Sequence, residues 1–244
     1  MTRRRLDVTL VARGLFDSRA KARAAIEAGR VSVAGAVILK PAELVGEDAA
    51  IDATPAHPWV GRGALKLERA LALWPIAVAG AVVLDVGAST GGFTQVCLAA
   101  GAARVYAVDV GRGQLHPAVA ADARVVSLES VDSRHLSAAL IPQPIDLIVC
   151  DVSFIGLAKA LPAALALARP DATLIALVKP QFEVGPAGVG RGGVVRDAAA
   201  RQAAVDGVSA FLEAEGWSVL AVAESPILGG DGNQEFLLRA QNRS

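Results

Sequence analysis

Residues 82–94 read V-V-L-D-V-G-A-S-T-G-G-F-T, and the next apolar run ends at Asp109, 22 residues after Gly87. An uninterrupted apolar segment followed by glycines is how a buried strand of an α/β sheet runs into a tight turn and then a helix. Gly87, Gly91 and Gly92 allow backbone geometry and close approaches that a side chain forbids. The helix opening at Gly92 offers free N–H groups, and a carboxylate at the spacing of Asp109 suits ribose hydroxyls.

The turn is G-x-S-x-G-G rather than G-x-G-x-x-G. Ser89 stands where a glycine would admit a pyrophosphate, so a dinucleotide is the poorer guest. An adenosine carrying a small charged group fits better, and S-adenosylmethionine is such a molecule. The turn also matches G-x-S-x-G, the nucleophile elbow of α/β hydrolases, which needs a later acid and then a histidine. No histidine follows His135, so Ser89 has no distal base.

From Ala81 onward apolar strands alternate with helical segments. Strands are expected at 82–86, 104–109, 124–128, 145–150 and 173–178, with helices at 92–101, 115–121, 134–140, 157–168 and 198–215. Two further strands, near 217–223 and 234–240, form a closing edge. This pattern means a parallel sheet with helices on both faces, binding its ligand outside the carboxyl ends of the strands. Asp85, Asp109, Asp151 and Lys179 all fall at such ends. A lysine closing the run L-I-A-L-V needs a partner, because an unpaired buried ammonium is costly. A structural salt bridge is the plain explanation; the functional one pairs Lys179 with Asp151 in the cleft facing the cofactor. The stretch 185–193, G-P-A-G-V-G-R-G-G, reads as a flexible loop beside that site.

The chain has no net charge over 244 residues, but its charge is unevenly distributed. Residues 1–69 carry 12 Lys/Arg against 8 Asp/Glu, and the first 30 carry 8 against 3. A basic front end on an acidic body suggests a module that binds a polyanion. There, helices are expected at 5–13 and, capped by Ser18, at 19–28. A hairpin turns around Ala34-Gly35, and a further apolar piece lies near 50–52. Arg3, Arg4, Arg5, Arg19, Lys21, Arg23 and Arg30 are the phosphate-binding candidates. The segment 54–61 has the prolines and glycine of a linker, giving domains at 1–53 and 62–244. Trp59 within it serves either as a hinge anchor or as a stacking surface.

Other classes recede. The uncharged run Ala70–Leu84 has 15 residues and contains Pro75 and Gly80, short of the roughly 20 a spanning helix needs. The basic N-terminus lacks a following apolar segment, so no export signal is read and a cytoplasmic location is expected. Cys97 and Cys150 lie in apolar runs and read as reduced core residues. The three histidines have no ligand spacing, so no metal is expected.

The first 60 residues resemble the alpha-L (S4-type) RNA-binding domain, in R-L-D at 5–7, S-R-x-x-A-R at 18–23, G-R-V-S-V at 29–33 and K-P at 40–41. The whole chain resembles the TlyA (hemolysin A) family of ribosomal RNA 2′-O-methyltransferases. The resemblance rests on W-V-x-R-G-x-x-K-L at 59–67, the stretch 85–94, D-V-S-F-I at 151–155, V-K-P-Q-F-E at 178–183 and G-N-Q-E-F-L at 232–237. It implies a Rossmann-type methyltransferase sheet behind a small α+β RNA-binding domain, with S-adenosylmethionine as donor. The implied catalytic tetrad is Lys66, Asp151, Lys179 and Glu235. Asp85, Gly87, Ser89, Gly91, Gly92, Phe93, Asp109 and Asp132 are implied on the cofactor, and Arg62 joins the RNA-contacting positions. Cytidines of 16S ribosomal RNA, 23S ribosomal RNA or both are the expected substrate of a monomer with no obligate protein partner. A catalytically dead RNA-binding or assembly factor, a membrane-active hemolysin and a dehydrogenase are the competing readings.

Overall fold

The computed structural model describes residues 3–185 and 188–243, in two compact units, Met1–Pro58 and Trp59–Ser244. In the first unit, β1 (Arg3–Arg5) leads directly into α1 (Leu6–Ala12), and α2 (Arg19–Glu27) starts at Ser18. The Ser18 hydroxyl accepts the Lys21 N–H at 3.3 Å, satisfying one of the donors that a helix start leaves open. β2 (Val31–Val33), β3 (Ala36–Val37) and β5 (Ile51–Ala53) form a small antiparallel sheet in the order β3-β2-β5. Ala34 and Gly35 both adopt positive φ at the hairpin, as a two-residue turn of this hand requires. β4 (Leu44–Gly46) pairs antiparallel with β1; this strand pair was not expected, because three consecutive arginines carry no strand signal. Leu6, Leu10, Ala22, Ala25, Ile26 and Val31 close a core of their own.

The second unit opens with α3 (Ala64–Leu73), β6 (Val82–Val86), α4 (Gly92–Ala99), β7 (Arg104–Asp109), α5 (Pro117–Ala120) and β8 (Val125–Glu129). It continues through β9 (Ile145–Cys150), α6 (Leu157–Ala160), α7 (Pro162–Leu165), β10 (Ala168–Val178), α8 (Pro180–Glu183), α9 (Ala198–Ala214), β11 (Trp217–Glu224) and β12 (Phe236–Asn242). The seven strands run in the order β11-β12-β10-β9-β6-β7-β8. The five from β10 to β8 are parallel, whereas β12 and β11 add antiparallel. The sheet is therefore mixed, with the expected closing edge built by the last two strands.

Side chains alternate between the faces of a strand, and the core follows that rule. Val83, Leu147, Val149, Ile175 and Leu177 pack with Leu67 of α3 and Phe93 and Val96 of α4. Leu84, Val86, Ile148, Leu174 and Ala176 pack on the other face with Leu157, Leu161, Val205 and Leu212. Both faces are covered, and each such fully buried leucine or valine contributes roughly 1.5–3 kcal/mol.

Three expected helices differ. The segment 157–168 is broken into α6 and α7, because Pro162 has no N–H to continue the first helix. The segment 134–140 is a single 3-10 turn at Ser133–His135, since Ile141 precedes Pro142 and is biased out of the helical region. The segment 115–121 shrinks to the one turn of α5, started by Pro117. β10 begins five residues early, but its register with β9 is regular only from Thr173, where the strand was expected.

Candidate active site

Lys66, Asp151, Lys179 and Glu235 come from α3, the end of β9, the end of β10 and the residue before β12. The fold brings all four together. Lys66 Nζ lies 2.7 Å from Glu235 Oε2 and 3.3 Å from Asp151 Oδ2, and Lys179 Nζ lies 2.6 Å from Asp151 Oδ1. Two ammoniums and two carboxylates thus balance in charge, with Asp151 bridging both lysines. Lys66, Lys179 and Glu235 are buried, and a buried charge persists only when paired in this way. Lys179 and Asp151 form the salt bridge that the strand ends suggested.

Backbone contacts fix the quartet. The Asp151 N–H donates to Val86 O at 3.0 Å, and Ser225 N–H donates to Glu235 O at 2.9 Å. A Cβ on Gly229 would stand 2.5 Å from Glu235 Oε1, so this position has no room for a side chain. Asn233, fully buried, accepts the Val195 N–H and donates to Gly193 O. It ties the glycine-rich loop to the segment carrying Glu235. Pro186 and Ala187 of that loop lie outside the described residues.

Ser153 was not anticipated. Its hydroxyl accepts a hydrogen bond from Lys179 Nζ at 2.9 Å, so two of the three ammonium donors of Lys179 have protein partners. Phe154, also unanticipated, is 91% exposed at φ +67°, a backbone region that aromatic residues rarely occupy. Its ring centroid is 5.3 Å from that of Phe182. The two rings line a cavity of about 330 Å³ together with Gln181 and Val189. Glu183 accepts the Leu157 N–H at 2.9 Å, and its burial raises its pKa. The motifs at 151–155 and 178–183 contained these residues, but only the contacts distinguish Ser153 and Phe154 from their neighbours.

The glycine turn lies beside the quartet. Gly87 and Gly91 have φ of +84° and +89°. A Cβ on Gly87 would come 2.9 Å from the Asp151 carbonyl oxygen, and one on Gly91 would come 2.7 Å from Leu115 Cδ1. Gly92 packs its Cα against the start of α3, where a Cβ would meet Ala64 N at 3.2 Å. These glycines are therefore required by the protein's own packing, independently of any ligand. Ser89 also adopts positive φ and donates its N–H to Asp109 Oδ2 at 2.8 Å. Asp109 Oδ1 accepts the Gly111 N–H at 2.7 Å, so the carboxylate ties the turn to the next loop. Phe93 is buried in the core of α4.

Asp85 is fully buried and accepts the Thr94 hydroxyl at 2.6 Å through Oδ2. Burial pushes its pKa up to about 7. Glu129, closing β8, accepts three backbone N–H groups from Gly113, Gln114 and Leu115, which hold its pKa down. Asp132 caps the 3-10 turn and pairs with Arg134 at 2.6 Å; that guanidinium holds its pKa well below the usual range. Asp109 and Glu129 close adjacent strands as carboxylates, which disfavours a pyrophosphate and suits a ligand that combines a diol with positive charge. The donor set fits an adenosyl sulfonium carrying an ammonium group.

In the first unit, Arg3, Arg4, Arg5, Arg19, Arg23 and Arg30 are exposed. Arg5 and Arg19 meet on Asp7, Lys21 pairs with Asp17 at 2.7 Å, and Arg23 lies 3.7 Å from Glu27. Arg62 is exposed but belongs to the second unit, just before α3. Trp59 packs against the core of that same unit, which gives it the anchoring role. Cys97 and Cys150 are free and buried, and burial pushes the Cys150 thiol up to about 12. Among the described residues no helix is long and apolar enough to cross a membrane.

A mixed seven-stranded sheet with this turn and charged quartet defines the class: a Rossmann-type methyltransferase domain following a small α+β module. Comparison with known proteins agrees. The FtsJ-like methyltransferase model matches residues 59–242, and the S4 domain model matches 4–51. The 16S/23S rRNA (cytidine-2′-O)-methyltransferase TlyA of Mycobacterium tuberculosis is 47% identical over 238 residues, covering 97% of this chain and 89% of that protein. Hemolysin A of Brachyspira hyodysenteriae is 35% identical, covering 96% and 98%. The structure of a provisionally named hemolysin from Streptococcus thermophilus superposes with a TM-score of 0.77 at 38% identity, covering 99% and 89%. The chain belongs to the FtsJ-like methyltransferases, in the TlyA family that joins this domain to an S4 module.

Proposed function

We propose that this protein transfers a methyl group from S-adenosylmethionine to the 2′-hydroxyl of cytidine in 16S and 23S ribosomal RNA. The observation that carries the reading is the quartet in which Asp151 bridges Lys66 and Lys179 while Lys66 also holds Glu235. The TlyA relative has that activity in its name.

Asp85, Gly87, Ser89, Gly91, Gly92, Phe93, Asp109 and Asp132 form the cofactor side, with Asp109 on the ribose and Asp132 toward the base. When bound, the cofactor supplies an electrophilic methyl carbon. The chain's own task is to align a ribose hydroxyl with that carbon and to stabilise its oxygen as the carbon–sulfur bond breaks and the hydroxyl proton passes to water. Lys179 is the group at that hydroxyl. Asp151 and Ser153 occupy two of its hydrogen-bonding directions and leave the third for the ribose oxygen. Lys66 and Glu235 fix Asp151 from behind and keep the site neutral before RNA arrives. Phe154 supplies a face on which a base can stack, the usual way an unpaired nucleotide is held. Arg3, Arg4, Arg5, Arg19, Lys21, Arg23, Arg30 and Arg62 meet phosphates. The protein acts as a monomer in the cytoplasm, where ribosomal subunits are assembled.

Tritiated-methyl transfer to ribosomal subunits from a strain lacking the gene, followed by mapping of methylated riboses, tests the reading. Incorporation into cytidine 2′-oxygens of either subunit is expected; absence of incorporation, with cofactor binding intact, leaves a non-catalytic RNA-binding protein. Lys179→Ala should lower the transfer rate by about 100-fold or more with cofactor affinity unchanged by calorimetry.

A further inference from the structure

In the first unit, a buried acid lies beneath two exposed arginines. Asp7, in the first turn of α1, has no exposed surface. Arg5 donates to it from Nε at 3.0 Å and from Nη2 at 3.1 Å, and Arg19 donates from Nη2 at 2.9 Å. Both Nη2 atoms meet the same oxygen, Asp7 Oδ2, so guanidiniums from β1 and from the start of α2 are held side by side. Their side chains remain 46% and 58% exposed. Most of their N–H donors are not used on Asp7, since each guanidinium has five.

The usual expectation for a polyanion-binding surface is that an acid within it weakens binding. Asp7 is placed to do the opposite. The two arginines hold its pKa down to about 2, so it is ionised wherever RNA is intact. It cancels one of the two positive charges, yet it locks two long side chains in one arrangement. Their rotamer freedom is lost when the unit folds rather than when it binds, and such preorganisation favours affinity. Two planar forks fixed edge to edge match the tetrahedral oxygens of a phosphodiester, which a lysine, a point charge on a flexible stem, does not reproduce.

We propose that Asp7 is a positioning residue that sets Arg5 and Arg19 as a two-guanidinium clamp for one backbone phosphate of the substrate RNA. The inference rests on the RNA-substrate reading above and assigns the residue that organises its binding.

The test is a titration of the full chain with 30S and 50S ribosomal subunits across a range of salt, comparing wild type with Asp7→Asn, the double variant Arg5→Lys/Arg19→Lys, and Arg201→Lys. Asp7→Asn makes the protein one unit more positive, so simple electrostatics predicts tighter binding. The clamp predicts binding weaker by about tenfold and a salt dependence shallower by about one phosphate contact. The double lysine variant keeps every charge and leaves Asp7 paired, so it carries the test if Asp7→Asn fails to fold by circular dichroism. It should weaken binding comparably, while Arg201→Lys on α9 changes nothing. Lysine variants that bind like wild type overturn the clamp, as does a folded Asp7→Asn that binds as well or better. If wild type binds neither subunit, the RNA-substrate reading itself fails; if wild type binds and the variants match it, only the clamp is lost.

Discussion

Asp85 shows at the scale of one residue how function and stability pull apart. It is fully buried among strands, with one oxygen on Thr94. Its pKa of about 7 lies above the ordinary value of 3.8, so the folded chain binds its proton more tightly than the unfolded chain does. Stability from this group is therefore greatest below about pH 4 and declines as pH rises towards 7. Asp85→Asn should flatten that decline and raise the melting temperature at pH 8, while weakening cofactor binding measured by calorimetry. Ser153 lends itself to a second prediction. Ser153→Ala removes one of two protein partners of Lys179 and should lower kcat by about tenfold, the worth of one well-placed hydrogen bond. KM for the subunits should hold, and Ser153→Thr should restore the rate. Lys179 and Asp151 were legible in the sequence because a charge closing an apolar strand contradicts its surroundings. Lys66 and Glu235 carry no such local contradiction and were reached only through family resemblance. Ser153 and Phe154 were missed since a serine or phenylalanine in a turn is ordinary until its partners are known.

At the scale of elements, the turn between β6 and α4 couples the cofactor side to the quartet. Gly87 holds φ +84° with the Asp151 carbonyl directly against its Cα. Alanine there would cost roughly 1–2 kcal/mol for the backbone conformation and would also push on Asp151. Gly87→Ala should lower the urea midpoint and reduce methyl transfer more than the stability loss explains. The elements read most reliably were those with strong periodicity: β6, β7, β9 and α9 appear within a residue of expectation. Proline chemistry accounts for the failures at 134–140 and 157–168, where apolar spacing suggested long helices. The strand pair β1–β4 was illegible because its arginines pair through backbone groups alone, which no side-chain pattern announces.

At the scale of the whole molecule, each unit closes its own core, Leu6, Leu10 and Ile26 in one and the two sheet faces in the other. Residues 59–244 expressed alone should therefore fold and bind S-adenosylmethionine with near-normal affinity. They should bind ribosomal subunits more weakly and with a shallower salt dependence, since the first unit brings most of the expected phosphate contacts. Pro55, Pro58 and Gly61 suggested a linker over 54–61; the compact units are Met1–Pro58 and Trp59–Ser244, and Trp59 packs with the second. An aromatic side chain in a linker-like stretch needed a core to bury against, and only the fold reveals which one it found.

The final strand carries a consequence for how the gene tolerates damage. β12 does not lie at the rim; it inserts between β10 and β11, and Glu235 immediately precedes it. During translation the five parallel strands leave the ribosome first and wait for an inner member that arrives last. A stop codon or frameshift anywhere upstream of Glu235 would leave a gap in the sheet and strand Lys66 without its carboxylate. Alleles truncated within the last few codons before Glu235 should then be as null as those truncated near the start.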